Sequence, residues 1–181
     1  YADVMGNLSG LAYQYKVYFD YHTEIARDPY TIATSENGKK SAILSHQDCI
    51  FPAFQSEAYE KADWRLDNPC QAVVYEMHVR DLTISPTSGV DEAYRGTYRG
   101  AHQTGTKNAQ GDATAFDYIK ELGVNVVQLQ PVTDRYKTYD EDGNVLYNWG
   151  YDVQNYSAPE TSYSTKPHDP KTTMRELKEM I

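Results

Sequence analysis

Val73-Val74-Tyr75-Glu76-Met77-His78-Val79 decides the fold class. The run is β-branched and aromatic with alternating flanks. It predicts a strand whose centre is mostly buried in a sheet. Downstream, residues 85–111 are rich in Gly, Ser, Thr and Asn and read as a long connection. Asp112 is a helix cap for Ala113 to Leu122, with an apolar stripe of Ala115, Phe116, Ile119 and Leu122 and a stop at Gly123. Val124-Asn125-Val126-Val127-Gln128-Leu129 is a second strand, ended by Pro131. A strand, a crossover containing a helix, and another strand make a βαβ unit with parallel strands.

Upstream, residues 13–19 alternate as a strand does, and Asn37-Gly38 is a hairpin signal ahead of the apolar Ser41-Ala42-Ile43-Leu44. The first 45 residues therefore read as antiparallel β structure, too little for a sandwich without further strands. The stretch that follows carries Pro52 and Pro69 without clean periodicity and reads as a linker, packed through Phe51, Phe54 and Trp64. From Pro131 to His168 no helix or strand pattern of useful length occurs, yet Tyr and Trp are dense, which points to a functional loop rather than disorder. Asp169-Pro170 then opens a helix through Met174, Leu177 and Ile181. Tyr1-Ala2-Asp3-Val4 has no initiator Met or leader, and no cap signal follows Ile181, so both ends read as interior to a longer protein.

The 181 residues give room for one medium domain or two small ones, and 40% hydrophobic content is enough for a core. A formal net charge of -9 disfavours nucleic acid and anionic lipid and suits a neutral or cationic ligand. No run has the length of a membrane span. Cys49 and Cys70 lie outside any C-x-x-C pair, which leaves zinc and redox sites unsupported; they read as unconnected thiols, with a disulfide across the linker as the alternative.

Two clusters carry candidate chemistry. Glu76, His78, Arg80 and Asp81 surround the end of the first parallel strand. In a parallel α/β barrel that end faces the active site. The alternative is a structural Arg80–Asp81 ion pair beside a satisfied core histidine. The second cluster is Tyr147-Asn148-Trp149-Gly150-Tyr151-Asp152, with Tyr156 and Tyr163 nearby. Aromatic rings cover the C–H face of a sugar while Asn and Asp bind its hydroxyl rim, and Gly150 permits close approach or positive φ. The alternative is a loop pinned to the core by its aromatics. Among the acids Asp134, Asp140, Glu141, Asp142, Asp152 and Glu160, none is singled out as a buried general acid, and Asp140 to Gly143 reads as a solvated turn. No nucleophile elbow, phosphate loop or H-E-x-x-H occurs.

With these residues in place, the chain resembles the type I pullulanases and related debranching enzymes of glycoside hydrolase family 13. Tyr147 to Asp152 matches the hexapeptide that marks type I pullulanases. Asn155-Tyr156, Pro159-Glu160, Ser162 to Thr165 and Asp169-Pro170 fit its continuation. Tyr75 to Asp81 resembles the family's first barrel strand, Arg95 to Gly100 the connection after it, and Leu122 to Val132 the second strand. Tyr15 to Tyr18 and Asp28-Pro29-Tyr30 resemble the end of a family 48 carbohydrate-binding module. Val153, Thr161 and Lys166 depart from a usual proline, glycine and aspartate, and Thr161 puts the local backbone geometry in question.

The resemblance implies an α/β fold: a β-rich remnant of a carbohydrate-binding β-sandwich over 1–45, a linker over 46–72, and over 73–181 the incomplete opening of a (β/α)8 TIM barrel. It implies retaining hydrolysis of α-1,6-glucosidic linkages in pullulan, amylopectin or glycogen. The nucleophile, acid/base and stabilising carboxylates belong to later barrel strands, so no catalytic residue is expected here and the chain by itself is expected to be inactive. The implied α-glucan contacts are Tyr147, Asn148, Trp149, Tyr151 and Asp152, with His78 at the strand end. No cofactor is implied for this chain and calcium is an option only for the full-length parent; no acidic cluster here has calcium-loop spacing. The alternatives are a non-catalytic α-glucan-binding module and a glycogen debranching or branching enzyme of the same family. Secreted, cell-surface and cytoplasmic locations all remain open.

Overall fold

The computed structural model describes residues 3–35, 38–50 and 66–181. The linker contacts expected of Phe51, Phe54 and Trp64, and the Asn37 half of the hairpin signal, lie outside them. The expected antiparallel β structure is present. Strand β1 (Ala12–Tyr13) pairs with β4 (Ser41–Ala42), and β2 (Tyr15–Tyr18) pairs with β3 (Thr23–Ala26). A one-turn helix α1 (His46–Cys49) follows, closed by a Ser45/Asp48 capping box. It ties this region to the last helix, α5 (Pro170–Met180): Lys171 Nζ lies 3.1 Å from Asp48 Oδ1, and the Lys178 ammonium donates to the Cys49 carbonyl. Cys49 and Cys70 are free thiols.

The predicted parallel pair forms between β5 (Val74–Met77) and β6 (Val126–Leu129), with Val74 opposite Val126 and Met77 opposite Leu129. Asn125 fixes this register at its entrance. Its side chain accepts from Val73 N at 2.8 Å and donates to the Gln71 carbonyl at 2.9 Å. The expected burial of the strand centre is overturned. Val74 and Glu76 are exposed, and only Met77 is buried. The pair has no third strand among the described residues and one covered face, so alternate residues meet solvent.

The crossover contains α2 (Val79–Thr83), α3 (Tyr98–Ala101) and α4 (Ala115–Glu121). Helix α4 starts two residues later than predicted. Thr114, not Asp112, holds its cap position, because Asp112 is engaged in a turn by Asn108. Gly123 ends the helix at φ +69 as expected, but Leu122 is exposed and the buried stripe narrows to Ala115 and Ile119.

The expectation of no strand between Pro131 and His168 is also overturned. Strand β7 (Thr133–Arg135) pairs with β8 (Val153–Pro159) in an irregular antiparallel ladder. The register shifts on both sides of Asp134, and the enclosed side chains include Asp134 and Asn155, so the apolar alternation that announces a strand is missing. Asp169 and Pro170 open α5 as predicted, with Asp169 accepting from Lys171 N, while Ile181 is exposed rather than packed. Thr161 lies in a short 3₁₀ turn without positive φ, so the backbone tolerates the missing glycine. Met77, Val79, Tyr98, Ala101, Ile119 and Tyr163 make the core.

Candidate functional site

Chain direction changes at His78, where β5 ends and α2 begins. The side chain caps the helix: Nδ1 accepts from Asp81 N at 3.3 Å. The other ring nitrogen, Nε2, lies 3.2 Å from the Asn148 carbonyl and 2.8 Å from the Tyr163 hydroxyl. A carbonyl only accepts, so the neutral ring with its proton on Nε2 satisfies these contacts. Burial is the main influence on His78 and pulls its pKa below the ordinary histidine value. Asp81 opposes that shift, while Arg135 and Arg80 reinforce it.

Asp81 connects this strand end to the aromatic loop. One carboxylate oxygen accepts from the Tyr147 hydroxyl at 2.5 Å, and the other is 3.1 Å from Arg80. The hydrogen bond to Asp81 pushes the Tyr147 pKa up to about 12. The Arg80 guanidinium sits 5.7 Å from the centre of the Tyr147 ring. The structural reading of this cluster, an ion pair beside a satisfied histidine, is therefore present, and it carries the loop.

Tyr147, its ring 5.6 Å from that of His78, anchors the start of the loop, and amides hold the rest. Asn148 Oδ1 accepts from Gly150 N at 2.7 Å, and Asn148 Nδ2 donates to Asp152 Oδ1 at 2.7 Å. Gly150 has φ +97, and a Cβ there would stand 2.7 Å from the Pro131 carbonyl oxygen. Both the conformation and the close approach require glycine. With the backbone fixed this way, Trp149 is 61% and Tyr151 63% exposed. Tyr156 is also exposed, whereas Tyr163 is a core residue edge-on to His78 and Tyr98. The loop thus offers two free ring faces beside Asn and Asp groups, the chemistry that covers a sugar face and meets its hydroxyls.

Behind the loop lies a buried charge cluster that no local sequence pattern singles out. Asp134 and Glu160 are fully enclosed, and Lys137 Nζ stands 3.1 Å from Glu160 and 3.6 Å from Asp134. Burial works to raise Glu160, but Lys137 and the Ser162 N–H outweigh it and hold the carboxyl below its usual range. Asp134, the more distant partner, is raised by burial despite Asn155 and Lys137. Their spacing, Asp134-x-x-Lys137 with Glu160 beyond a long loop, has no local signature. By contrast, Asp140 to Gly143 forms the exposed turn expected of it. Among the described residues no group of three His, Cys, Asp or Glu side chains is placed to hold a metal, and no helix is long and apolar enough to cross a membrane.

No family model matches the chain. Over 178 residues it is 35% identical to a pullulanase of Bacillus subtilis, covering 98% of this chain and 23% of that protein. The structure of a pullulanase from Paenibacillus barengoltzii, in complex with maltohexaose and alpha-cyclodextrin, aligns over 98% of this chain at 39% identity with a TM-score of 0.87. The chain matches one segment of the pullulanases. A second pullulanase, from Anoxybacillus sp. LM18-11 in complex with maltotriose, aligns over 98% of this chain at 37% identity with a TM-score of 0.85. A chloroplastic isoamylase 3 of rice is 34% identical over 126 residues, covering 66% of this chain and 15% of that protein. The chain spans about a quarter of the length of these three pullulanases.

Proposed function

We propose that the chain supplies one wall of the active site of an α-1,6-glucan debranching hydrolase, acting on linkages in pullulan, amylopectin or glycogen. The observation that carries this reading is the loop Tyr147 to Asp152, whose polar pins leave the Trp149 and Tyr151 rings open. In it Tyr151 stacks under the sugar next to the cleaved bond. Trp149, Asn148 and Asp152 shape that end, and Tyr147 and His78 hold the loop to the strand end. The reading divides the chain into a carbohydrate-binding remnant over 1–45, a linker over 46–72 and the opening of a (β/α)8 barrel over 73–181. The antiparallel pairs of the first part and the parallel β5–β6 pair with its helical crossover support that division.

Retaining glycoside hydrolysis needs two accessible carboxyl groups about 5–5.5 Å apart. The enclosed acids here, Asp134 and Glu160, share Lys137 and do not meet solvent. We assign no catalytic role within this chain, because the resemblance puts the nucleophile, acid/base and stabilising carboxylates on later barrel strands. The exposed rings of Trp149 and Tyr151 also support a second reading of these residues by themselves, α-glucan binding without cleavage. Affinity electrophoresis in pullulan tests the common part. The chain is expected to be retarded, and Trp149→Ala or Tyr151→Ala to bind roughly five-fold more weakly, for about 1 kcal/mol of lost stacking. Equal mobility with and without pullulan contradicts both readings, and release of reducing ends by the chain contradicts the absence of catalytic residues.

A further inference from the structure

A cavity of about 240 Å³ opens between the aromatic loop and the crossover. It is smaller than the roughly 300–1,000 Å³ of pockets that enclose drug-sized ligands, and so suits a small group. Its lining includes Arg80, Arg95 and Arg135 but no Asp or Glu. In a chain of formal net charge -9, three guanidinium groups around one small space are a local reversal of sign. Two of them have partners: Arg80 pairs with Asp81, and Arg95 Nε donates to the Val90 carbonyl at 3.2 Å.

Arg135 is different. It is 4% exposed, and its Nε and Nη1 have no hydrogen-bond partner among the described residues. Its guanidinium lies 5.6 Å from the centre of the Tyr163 ring and also engages the Tyr163 hydroxyl. Unpaired buried donors of a charged group are costly. Glu160 lies close enough to feel the Arg135 charge, yet its oxygens accept from Arg135 N and Ser162 N, both main-chain groups. Thr97, Asn148 and Ser162 add uncharged polar groups to the same lining.

We propose that this cavity binds a small oxyanion, a phosphate monoester or a carboxylate, among the three arginines Arg80, Arg95 and Arg135 that line it. The planar fork of a guanidinium matches two oxygens of either group, and a dry wall strengthens the pairing. Tyr147 and Asn148 belong both to this lining and to the loop, so a phosphate carried on a glucose unit would reach the same donors. That sugar-borne form rests on the glucan reading of the loop; the anion site itself does not.

Calorimetric titration of the chain with inorganic phosphate, glucose 6-phosphate and glucuronate, against glucose and chloride at matched ionic strength, tests the proposal. Saturable binding of at least one oxyanion is expected, weakened about ten-fold or more in Arg135→Met. Because that variant removes a buried charge, Arg95→Gln at a partly exposed position is the second probe, and a several-fold loss is expected there too. Glucose 6-phosphate binding while inorganic phosphate is silent assigns the sugar-borne source. Glucuronate binding without either phosphate assigns a carboxylate. No saturable oxyanion binding, or binding unchanged in both folded variants, overturns the proposal. Loss of pullulan retention with oxyanion binding intact sinks the glucan reading alone, and the converse sinks this one alone.

Discussion

His78 is neutral because of where the chain puts it. Its two nitrogens face an amide N–H on one side and a carbonyl and a hydroxyl on the other, within a buried strand end. The unfolded chain takes up a proton at the ordinary value of about 6.5, and the folded chain only at lower pH. A depressed folded pKa means stability is complete above the unfolded value and is lost as pH falls through the folded one. Urea midpoints of the wild type should therefore drop as pH falls below about 6.5, with a shallower drop in His78→Asn. Parallel pH profiles would show that His78 is not the group. At this scale the sequence was informative but incomplete: it marked His78, Arg80 and Asp81 without revealing that the loop 70 residues later supplies the histidine's partner.

The β7–β8 ladder is the element the sequence concealed. Two register shifts and enclosed polar side chains erase the period of two on which strand recognition rests. Its end is organised by Glu160, which accepts from Arg135 N at 3.1 Å and Ser162 N at 2.9 Å and faces Lys137. Glu160→Ala leaves a buried lysine without its nearer partner and frees two main-chain donors. The expected cost is about 3–5 kcal/mol, read as a lower urea midpoint with an unchanged slope. A cost within about 0.5 kcal/mol would mean that the cluster is not sealed as described. By contrast, the parallel pair and the capped helix after Asp169 followed from local signals, because hydrophobic runs, Pro at the first turn and a stop at Gly123 act over a few residues.

Across the whole molecule, the parallel pair, its crossover helices and the last helix pack around one core that includes Tyr98 and Tyr163, and buried polar contacts join distant parts. Asn155, for example, donates both to Asp134 at 2.5 Å and to the Gly38 carbonyl at 3.3 Å. Such contacts depend on tertiary placement and leave no trace in local pattern. The opposite holds for the loop Tyr147 to Asp152: its composition and order stand out in the sequence, and its geometry then explains why the rings are free. The central claim is that these free rings meet α-glucan. It is tested most directly by following the Trp149 indole N–H resonance, assigned with Trp149→Phe, as maltotetraose is added to the chain. The account predicts a saturable shift of that resonance that Tyr151→Ala weakens. An indole signal that stays still while glucan saturates another surface, or no binding at all, would contradict it.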